Sequence, residues 1–388
     1  MSIATSLQKV LDSKEAIKTS INNKGGQITS ATPFSAYSAA IDNLPSGGGG
    51  DGILKSVSES EWTGTTFDGF GKYITAVTIP SGVTTLANGV FSGCVSLKRI
   101  NSNTDGVFIL PLGITTINSN VFYGCEALET IEIPSGVTKL NESVFRACKK
   151  LKNITLPSGV TEIGNSCFQQ TNSLENISLP SSLTTLGNGV FRYSHISSVT
   201  IPSGVTVIPQ SCFESAILFE NITILGNVTE MGQSVFKGTK LTDFTFPSGI
   251  TGTTGYWFAG TPITSVTINE GCTYLWGRDF EGCKALTQVT IPSGVTYIGY
   301  SEFAQCSGLT SINIPSGVTS ILNNAFDKCS SLTAVTVNAV TPPTLGSSVF
   351  SYTSANLVIY VPAESVEAYK GATNWSVYAS RIQAIPSA

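Results

Sequence analysis

Residues 286–299, LTQVTIPSGVTYIG, carry the phrase that decides the fold, because I-P-S-G-V-T or a close variant of it returns along most of the 388 residues. From Pro111 onward it recurs every 22 or 23 residues, and one earlier step is longer because residues 101–108 are inserted. A fixed period of this size predicts a solenoid. The prolines are Pro80, Pro111, Pro134, Pro157, Pro180, Pro202, Pro247, Pro292 and Pro315, and Leu225, Asn269 and Asn338 occupy the remaining positions.

A phenylalanine column accompanies the phrase, eleven residues after each of these positions except Asn338, and a Leu-x-x-Ile-x-Ile segment precedes most of them. A unit of this length cannot bury its own apolar face, so equivalent side chains of neighbouring coils must stack to form the core. The column is Phe91, Phe122, Phe145, Phe168, Phe191, Phe213, Phe236, Phe258, Phe280, Phe303 and Phe326, with Phe350 in the last, modified unit.

The local pattern within one unit predicts its secondary structure. Alternating apolar and β-branched residues before the proline, as in residues 286–291, predict a short parallel strand. Pro-Ser-Gly predicts a turn, and residues 295–298 predict a second short strand. The segment that ends in Phe-x-x-Cys predicts a turn or a one-turn helix. The sequence therefore predicts a β-rich repeat solenoid with short parallel strands in each coil.

Over about residues 70–350 the repeat resembles the BspA-like leucine-rich repeat family, whose pattern is close to L-x-x-I-x-I-P-x-x-V-T-x-I-G-x-x-A-F-x-x-C. Residues 163–168, IGNSCF, match this pattern well. The resemblance implies that residues 53–338 form a leucine-rich-repeat solenoid, including its N-terminal cap. It also implies a C-terminal cap over residues 339–388 with a helix at residues 363–370, because the last coil would otherwise expose an apolar end.

The charge content is low, at 12% charged residues and a formal net charge of −4. Such a surface offers no electrostatic attraction to nucleic acid or to an anionic membrane. No apolar run reaches the roughly 18 residues that span a bilayer, and residues 1–18 lack the pattern of a signal peptide. We therefore predict that the protein has no nucleic-acid partner and does not insert into a membrane. We also predict that it is made in the cytoplasm of its host cell.

The nine cysteines form an odd set without a C-x-x-C pair, and His195 is the only histidine. Six cysteines lie three residues after a column phenylalanine, Cys167 and Cys212 directly precede one, and Cys272 takes a valine position. Each therefore fills a small apolar position, which predicts buried thiols. A Gly-rich phosphate loop, a nucleophile elbow and metal-ligand spacings are also missing. We predict a protein without metal or cofactor that is not an enzyme.

Residues 1–46 lack the repeat and form a separate module. Their apolar residues follow an a/d heptad spacing that predicts an oligomerising helix, with Lys14 at one core position. The alternative is an amphipathic helix that folds onto a second helix beginning near Thr32 and Pro33. Residues 47–52 are a Gly-rich linker. The candidate oligomerisation residues are Ile3, Leu7, Val10, Ile17 and Ile21.

The run of residues 24–44 resembles a short segment of tail and tail-fibre proteins from bacteriophages and prophages. This resemblance implies that residues 1–46 attach the solenoid to phage tail or virion proteins, or join it to sister chains, with a homotrimer favoured. It also implies a place in the virion tail. A typical secreted BspA-like adhesin has a signal peptide, and this sequence departs from those relatives. The bacterial cell surface is the alternative location.

One cluster of residues departs sharply from the repeat, and in it Trp276 stands where Gly164 and Gly299 stand in other coils. Exposed aromatic rings mark interaction sites, and rings beside carboxylates and amides can hold sugars. The alternative is that Trp257 and Trp276 fill gaps left by the 22-residue coils. The candidate ligand-binding residues are Tyr256, Trp257, Tyr274, Trp276, Arg278, Asp279, Tyr297, Tyr300 and Glu302.

These features favour a phage or prophage tail-associated receptor-binding protein that recognises a bacterial cell-surface glycan or protein. A bacterial cell-associated adhesin or interaction protein is the second hypothesis, and a structural virion component is the third. An enzyme is the most distant hypothesis. Polysaccharide depolymerases need paired carboxylates, and the one local candidate pair is Asp279 with Glu281 or Glu302.

Overall fold

The computed structural model describes residues 61–62 and 74–387, so the predicted helical module and linker at residues 1–52 lie outside the described residues. The described chain forms a β-solenoid of short parallel strands, as the period predicts. It divides into two compact units. Of the described residues, the first unit comprises those up to Thr138 together with Ser143–Pro157, and the second comprises Lys139–Glu142 and those from Ser158 onward.

Most coils carry two strands, one before and one after the turn at the proline position. At Asn176, Thr245 and Gly252 the strand is reduced to a single parallel bridge. Numbered in chain order, the strands before the turn and the final strand are β2 (Ala76–Val77), β4 (Arg99–Ile100), β5 (Val107–Ile109), β7 (Thr130–Glu132), β9 (Asn153–Thr155), β12 (Ser198–Ile201), β14 (Asn221–Ile224), β16 (Ser265–Thr267), β18 (Gln288–Thr290), β20 (Ser311–Ile314), β22 (Ala334–Val337), β24 (Val358–Val361) and β25 (Ile382–Ala384). Those after the turn are β1 (Glu61–Trp62), β3 (Thr85–Leu86), β6 (Thr116–Ile117), β8 (Lys139–Leu140), β10 (Glu162–Ile163), β11 (Thr185–Leu186), β13 (Val207–Ile208), β15 (Glu230–Met231), β17 (Tyr274–Gly277), β19 (Tyr297–Tyr300), β21 (Ser320–Ile321) and β23 (Thr344–Leu345).

Strand register follows the repeat period. In β20 and β22, Ser311 lies opposite Ala334 and Ile312 lies opposite Val335. Successive side chains of a strand point to opposite faces. Ile312 and Ile314 are therefore buried while Ser311 is exposed. The alternation that predicted the strands is thus the alternation between core and solvent.

The phenylalanine column forms a continuous ring stack within each unit. Neighbouring ring centroids lie 5.3 to 5.7 Å apart in near-parallel stacks. Burial of one such ring stabilises the fold by about 1.5–3 kcal/mol. The column therefore makes each coil depend on its neighbours, as stacking of incomplete units requires.

The segment around each phenylalanine is a tight turn rather than a one-turn helix. Two residues per coil have left-handed backbone, two positions before and two positions after the ring. Around Phe303 these are Ser301 with φ 54° and Gln305 with φ 62°. Left-handed backbone is costly for most L-residues, so Ser, Asn, Gly and Gln dominate these two positions.

Threonine side chains link successive coils of the second unit along its surface. The Thr273 hydroxyl donates to the carbonyl oxygen of Thr251 at 3.2 Å, and Thr296 donates to Thr273 at 3.2 Å. Thr319 continues this ladder at 3.1 Å. These hydroxyls donate hydrogen bonds within the solenoid. The surface that they line is therefore uncharged, and most of its hydroxyl donors are already paired.

All nine cysteines are free and buried, as the sequence predicted. The Cys306 thiol donates to the Phe280 carbonyl oxygen at 3.1 Å, and Cys329 donates to Phe303 at 3.0 Å. Burial raises the pKa of Cys329 to about 12. A thiol that is neutral and buried is unreactive, so these cysteines are part of the core.

The insertion at residues 101–108 adds a strand to the first unit. Phe108 of β5 pairs with Ile100 of β4 and is buried. Asp105 closes the short connection between these strands, with its carboxylate 3.3 Å from Arg99 and 3.5 Å from Lys98. The extra residues therefore widen the sheet without interrupting the stack.

The C-terminal end of the second unit is covered by short helices. Strand β24 is followed by a 3-10 turn (Ala363–Ser365), helix α1 (Val366–Gly371) and a second 3-10 segment (Ser376–Arg381). Trp375 is fully buried and its Nε1 donates to the Pro343 carbonyl oxygen at 2.8 Å. The Tyr369 hydroxyl donates to Ala339 at 2.7 Å. These two rings shield the apolar end of the last coil. Within the described residues, no helix has the length and apolarity needed to cross a membrane.

An aromatic patch as candidate recognition surface

Strands β17 and β19 carry the centre of the candidate site. Each is four residues long, whereas the other strands after the turn have two. Tyr274 and Trp276 alternate with the buried Leu275, so both rings lie on the outer face, 39% and 56% exposed. Tyr297 of β19 is the register partner of Tyr274. Paired strands are about 4.8 Å apart, so three rings share one face of two adjacent coils.

Glycines in the preceding coil make room for these rings. The Tyr274 ring lies over Gly252, where a Cβ atom would overlap the ring. Trp276 passes Gly255, whose added Cβ would lie 3.5 Å from the indole Cδ1. The position of the Tyr274 ring thus depends on the absence of a side chain at Gly252, whereas at Gly255 an added Cβ would make only an ordinary contact with Trp276.

Arg278 lies between two further rings of the site. Its guanidinium carbon is 5.5 Å from the centroid of Tyr256 and 5.2 Å from that of Tyr300. Lys237 approaches the Tyr256 ring as well, at 5.1 Å. Cations over aromatic faces within about 6 Å are attracted by the ring quadrupole. We define the aromatic patch as Tyr256, Tyr274, Trp276, Arg278, Tyr297 and Tyr300.

Two members of the aromatic patch occupy left-handed backbone positions. Tyr256 has φ 61° and Arg278 has φ 63°, at the position that Ser234 and Ser301 hold in the flanking coils. A bulky residue there is uncommon, and serine would serve the fold. These two side chains are therefore not required by the turn itself.

Three of the predicted site residues, Trp257, Asp279 and Glu302, are instead fully buried, so their predicted place on the binding surface is corrected. They fill, in three successive coils, the interior position directly before the column phenylalanine. Val235 and Ala325 hold this position in the flanking coils. Trp257 packs 5.6 Å from Phe246 and its Nε1 donates to the Thr254 hydroxyl at 2.9 Å. Trp257 thus fills the core, whereas Trp276 does not.

The two buried carboxyl groups form one hydrogen-bonded network. The Thr253 hydroxyl and the Trp257 amide donate to Asp279, the latter at 3.2 Å. The Asp279 amide donates to Glu302 Oε2 at 3.3 Å, and the two carboxyls also hydrogen-bond each other. Thr253 in turn accepts from the Trp276 amide at 2.9 Å. The network therefore ties the interior pair to the strand that carries the aromatic patch.

Burial controls the protonation of this pair. Desolvation raises the pKa of Asp279 to about 6. Desolvation, with the nearby Asp279 carboxylate, raises the pKa of Glu302 well above its ordinary value. Burial also raises the pKa of the Tyr297 hydroxyl. A glycosidase needs its two carboxylates on either side of an accessible bond. Asp279 and Glu302 have no solvent access, so they do not form such a cleft. Among the described residues, no group of acidic, His or Cys side chains could hold a metal ion.

A cavity of about 570 Å³ lies elsewhere in the second unit and was not predicted. Strand β14 pairs with β12, but the next coil contributes only the bridge of Thr245 with Thr267. The cavity occupies this interruption, and its lining includes Glu220, Ile222, Ile224, Asp243, Phe244 and Phe246. The sequence feature that could have predicted this cavity is the pair Phe244 and Phe246, at positions where other coils have Val and Ile. Two large rings at these positions hold the strands apart.

Comparison with known proteins agrees with this architecture. The family model described as "BspA type Leucine rich repeat region (6 copies)" matches residues 65–195, 102–220, 148–261 and 253–370. No curated protein matched the chain.

Solved structures of repeat proteins are also similar. A leucine-rich repeat protein from Bacteroides ovatus is 22% identical over 80% of this chain and 92% of its own, with a TM-score of 0.55. The leucine rich repeat protein of T. pallidum is 30% identical, covering 44% of this chain and 78% of its own, with a TM-score of 0.39. A leucine rich cell surface protein from Faecalibacterium prausnitzii is 23% identical, covering 85% and 87%, with a TM-score of 0.42.

The Bacteroides ovatus structure supports the solenoid fold. The matching model describes a repeat region rather than a catalytic domain, and its overlapping matches extend from residue 65 to residue 370. The chain therefore belongs to the BspA-type leucine-rich repeat family.

Proposed function

We propose that this protein is a recognition protein that binds a bacterial cell-surface glycan or protein through the aromatic patch. The observation that supports it is Trp276, 56% exposed at a strand position where several other coils have glycine. Neither packing nor the turn requires this ring. Exposed aromatic clusters mark binding surfaces, and tryptophan and arginine dominate binding energy.

We further propose that a phage or prophage tail carries this recognition surface. The support is the resemblance of residues 24–44 to tail-fibre proteins, which implies a trimer, and the heptad spacing within residues 1–46, which supports an oligomerising helix. Several copies would multiply many weak contacts into avidity. A bacterial cell-surface adhesin is the second candidate, which the leucine-rich-repeat family favours. A structural virion component without receptor binding is the third. Detection of the chain in purified virions, or in the bacterial surface fraction, separates the first two.

Trp276→Ala is expected to weaken binding to bacterial cells by tenfold or more, because a central tryptophan typically contributes 2 kcal/mol or more to an interface. Its side chain lies outside the core, so the circular dichroism spectrum and the unfolding midpoint should change little. Trp257→Ala is the matched control. It should lower the free energy of unfolding by about 3–5 kcal/mol, because this indole is fully buried. Unchanged cell binding by folded Trp276→Ala would contradict the proposed site.

The oligomeric state is the test of the proposed attachment module. We expect the full chain to be a trimer in solution and a version that begins at Asp51 to be a monomer, since the heptad positions lie within residues 1–46. Light scattering coupled to size exclusion measures both masses. A monomer in both cases would contradict a trimeric fibre and favour a single-copy component or a cell-associated protein.

A further inference from the structure

We propose that the aromatic patch binds an anionic saccharide, whose acid group pairs with Arg278 while its sugar rings lie against Tyr274, Trp276 and Tyr297. This inference rests on the proposed function, because it names the ligand class of the same surface. It goes beyond that function by assigning separate roles to the cation and to the rings.

Arg278 has the donors that an acid group requires. Its described ion pair is with Glu281, at 3.5 Å, and its Nε atom is buried without a hydrogen-bond partner. A guanidinium carries five N–H donors. The buried Nε cannot reach a ligand, but the one long contact of Nη1 leaves the other Nη donors for an acid group. The guanidinium side chain is 35% exposed and lies between the rings of Tyr256 and Tyr300. A guanidinium pairs with carboxylate or phosphate through two parallel hydrogen bonds, so an arginine at this place suits an acid group.

The local charge also favours an anion. Lys237 and Arg278 both approach the Tyr256 ring, whereas Glu281 is the one described carboxylate that is paired with Arg278. Asp279 and Glu302 lie close by but are buried and share hydrogen bonds with each other, so neither carboxyl group faces a ligand. The outer surface at the patch therefore carries two cations, Lys237 and Arg278, beside the single paired carboxylate of Glu281, on a chain whose net charge is −4.

The ring platform suits the face of a sugar. Tyr274 and Tyr297 lie in register on adjacent strands, and Trp276 lies two residues further along the same outer face. Aromatic rings present a flat apolar face, and the tyrosines add a polar tip. The neighbouring threonine hydroxyls already donate to backbone carbonyls of the preceding coil. Hydrogen bonds to the ligand would therefore come from Arg278, the tyrosine hydroxyls and water.

A saccharide fits this surface better than a protein partner does. Protein interfaces are also enriched in Tyr, Trp and Arg, but the buried core of such an interface is mostly apolar. The outward positions that border the rings carry Thr251, Thr273, Thr296 and Ser320 rather than large aliphatic side chains. Rings beside a cation, surrounded by hydroxyl-bearing residues, match a ligand that combines C–H faces, hydroxyls and one acid group.

The test is a binding assay of the full chain against an array of purified bacterial polysaccharides. The array holds polyuronates, phosphate-containing polymers and neutral polymers, with carboxyl-reduced and dephosphorylated forms of the acidic ones. We expect binding to acidic members, loss on removal of the acid group, and weakening by added salt. The carboxyl-reduced and dephosphorylated forms identify which acid group is read.

Arg278→Ser is the decisive variant, because Ser301 holds this left-handed position in the following coil with φ 54°. It should reduce affinity for the acidic polymer about tenfold or more, as expected for a hydrogen bond to a charged group. Lys328→Gln is the control for loss of one positive charge. Gln305 holds the same position in the preceding coil with a similar φ, so this variant should fold and bind normally.

The outcomes separate this inference from the proposed function. Equal binding of acidic and neutral polymers, or full binding by Arg278→Ser, overturns the role of the anion. If Trp276→Ala still loses cell binding in that case, the recognition surface itself stands. Binding to cells without binding to any saccharide overturns the saccharide class and indicates a protein receptor. If both variants keep their full binding to cells and to glycans, both proposals are overturned.

Discussion

Phe213→Ala is expected to lower the free energy of unfolding by about 3–5 kcal/mol, the range found for removal of a buried phenyl ring. The ring is fully buried and stacks between Phe191 at 5.6 Å and Phe236 at 5.7 Å. Phe219 adds a third contact at 4.4 Å. The neighbouring rings are fixed by their own coils, so the structure cannot collapse into the vacated space. Urea denaturation followed by circular dichroism measures the loss.

Leu225→Ala is the matched control for this prediction. It also truncates an apolar side chain in the second unit, but this side chain is 63% exposed. Surface substitutions of this kind usually change stability by less than about 0.5 kcal/mol. Similar effects of Phe213→Ala and Leu225→Ala would contradict the stacked column as the main source of cohesion between coils.

Stability is expected to fall as the pH rises from about 4 through about 6, because the folded state holds protons on Asp279 and Glu302 that the unfolded chain releases. Burial raises the pKa of Asp279 from 3.8 to about 6, and that of Glu302 well above 4.5. The folded state therefore binds more protons in this window, which makes the slope of stability against pH negative. For Asp279 alone, this rise in pKa corresponds to a change of about 3 kcal/mol in the free energy of unfolding. This contribution to stability is complete below the pKa of the group in the unfolded chain, and it is lost as the pH rises through the pKa of the group in the folded state.

The double substitution of Asp279→Asn with Glu302→Gln tests the origin of this slope. Amides of similar shape retain hydrogen-bonding capacity but do not titrate. Urea midpoints of the wild-type chain and the double variant should be compared across this pH window. We expect the wild type to lose stability relative to the double variant as the pH rises. Parallel pH profiles would show that the pair does not hold the protons assigned to it.

The patch depends on the same pair for its geometry. The Trp276 amide donates to Thr253, whose hydroxyl donates to Asp279. A second carboxylate charge in this network would repel the first in an environment with little water. We therefore expect ionisation of the pair to act on the strand beneath the outward rings through these hydrogen bonds. Hydrogen bonds through Thr253 thus link the buried Asp279 to the exposed Trp276, although one side chain points inward and the other points to solvent.

Much of the fold was predictable because the repeat states the same information in every coil. The spacing of 22 or 23 residues predicted the solenoid, and the positions of Cys306 and Cys329 after their phenylalanines predicted buried thiols. The site was harder to predict because it consists of departures from the repeat. Trp257 and Trp276 both replace smaller residues, and composition alone gave two interpretations, core filling and ligand binding. The structure assigns the first to Trp257, while the exposure of Trp276 leaves the second as our proposal.

The sequence by itself determined the period, the alternation of apolar positions and the stacked phenylalanines, because solvent exclusion acts on every coil alike. The tertiary structure alone decided which departures face solvent. Trp276 lies in a strand, where alternate residues point outward. Trp257, Asp279 and Glu302 share the position before the column phenylalanine, which the tight turn directs inward. Charged residues are almost never fully buried unless paired. Only the packed coils bring Asp279 and Glu302 close enough to hydrogen-bond, and this contact keeps both carboxyl groups in the interior.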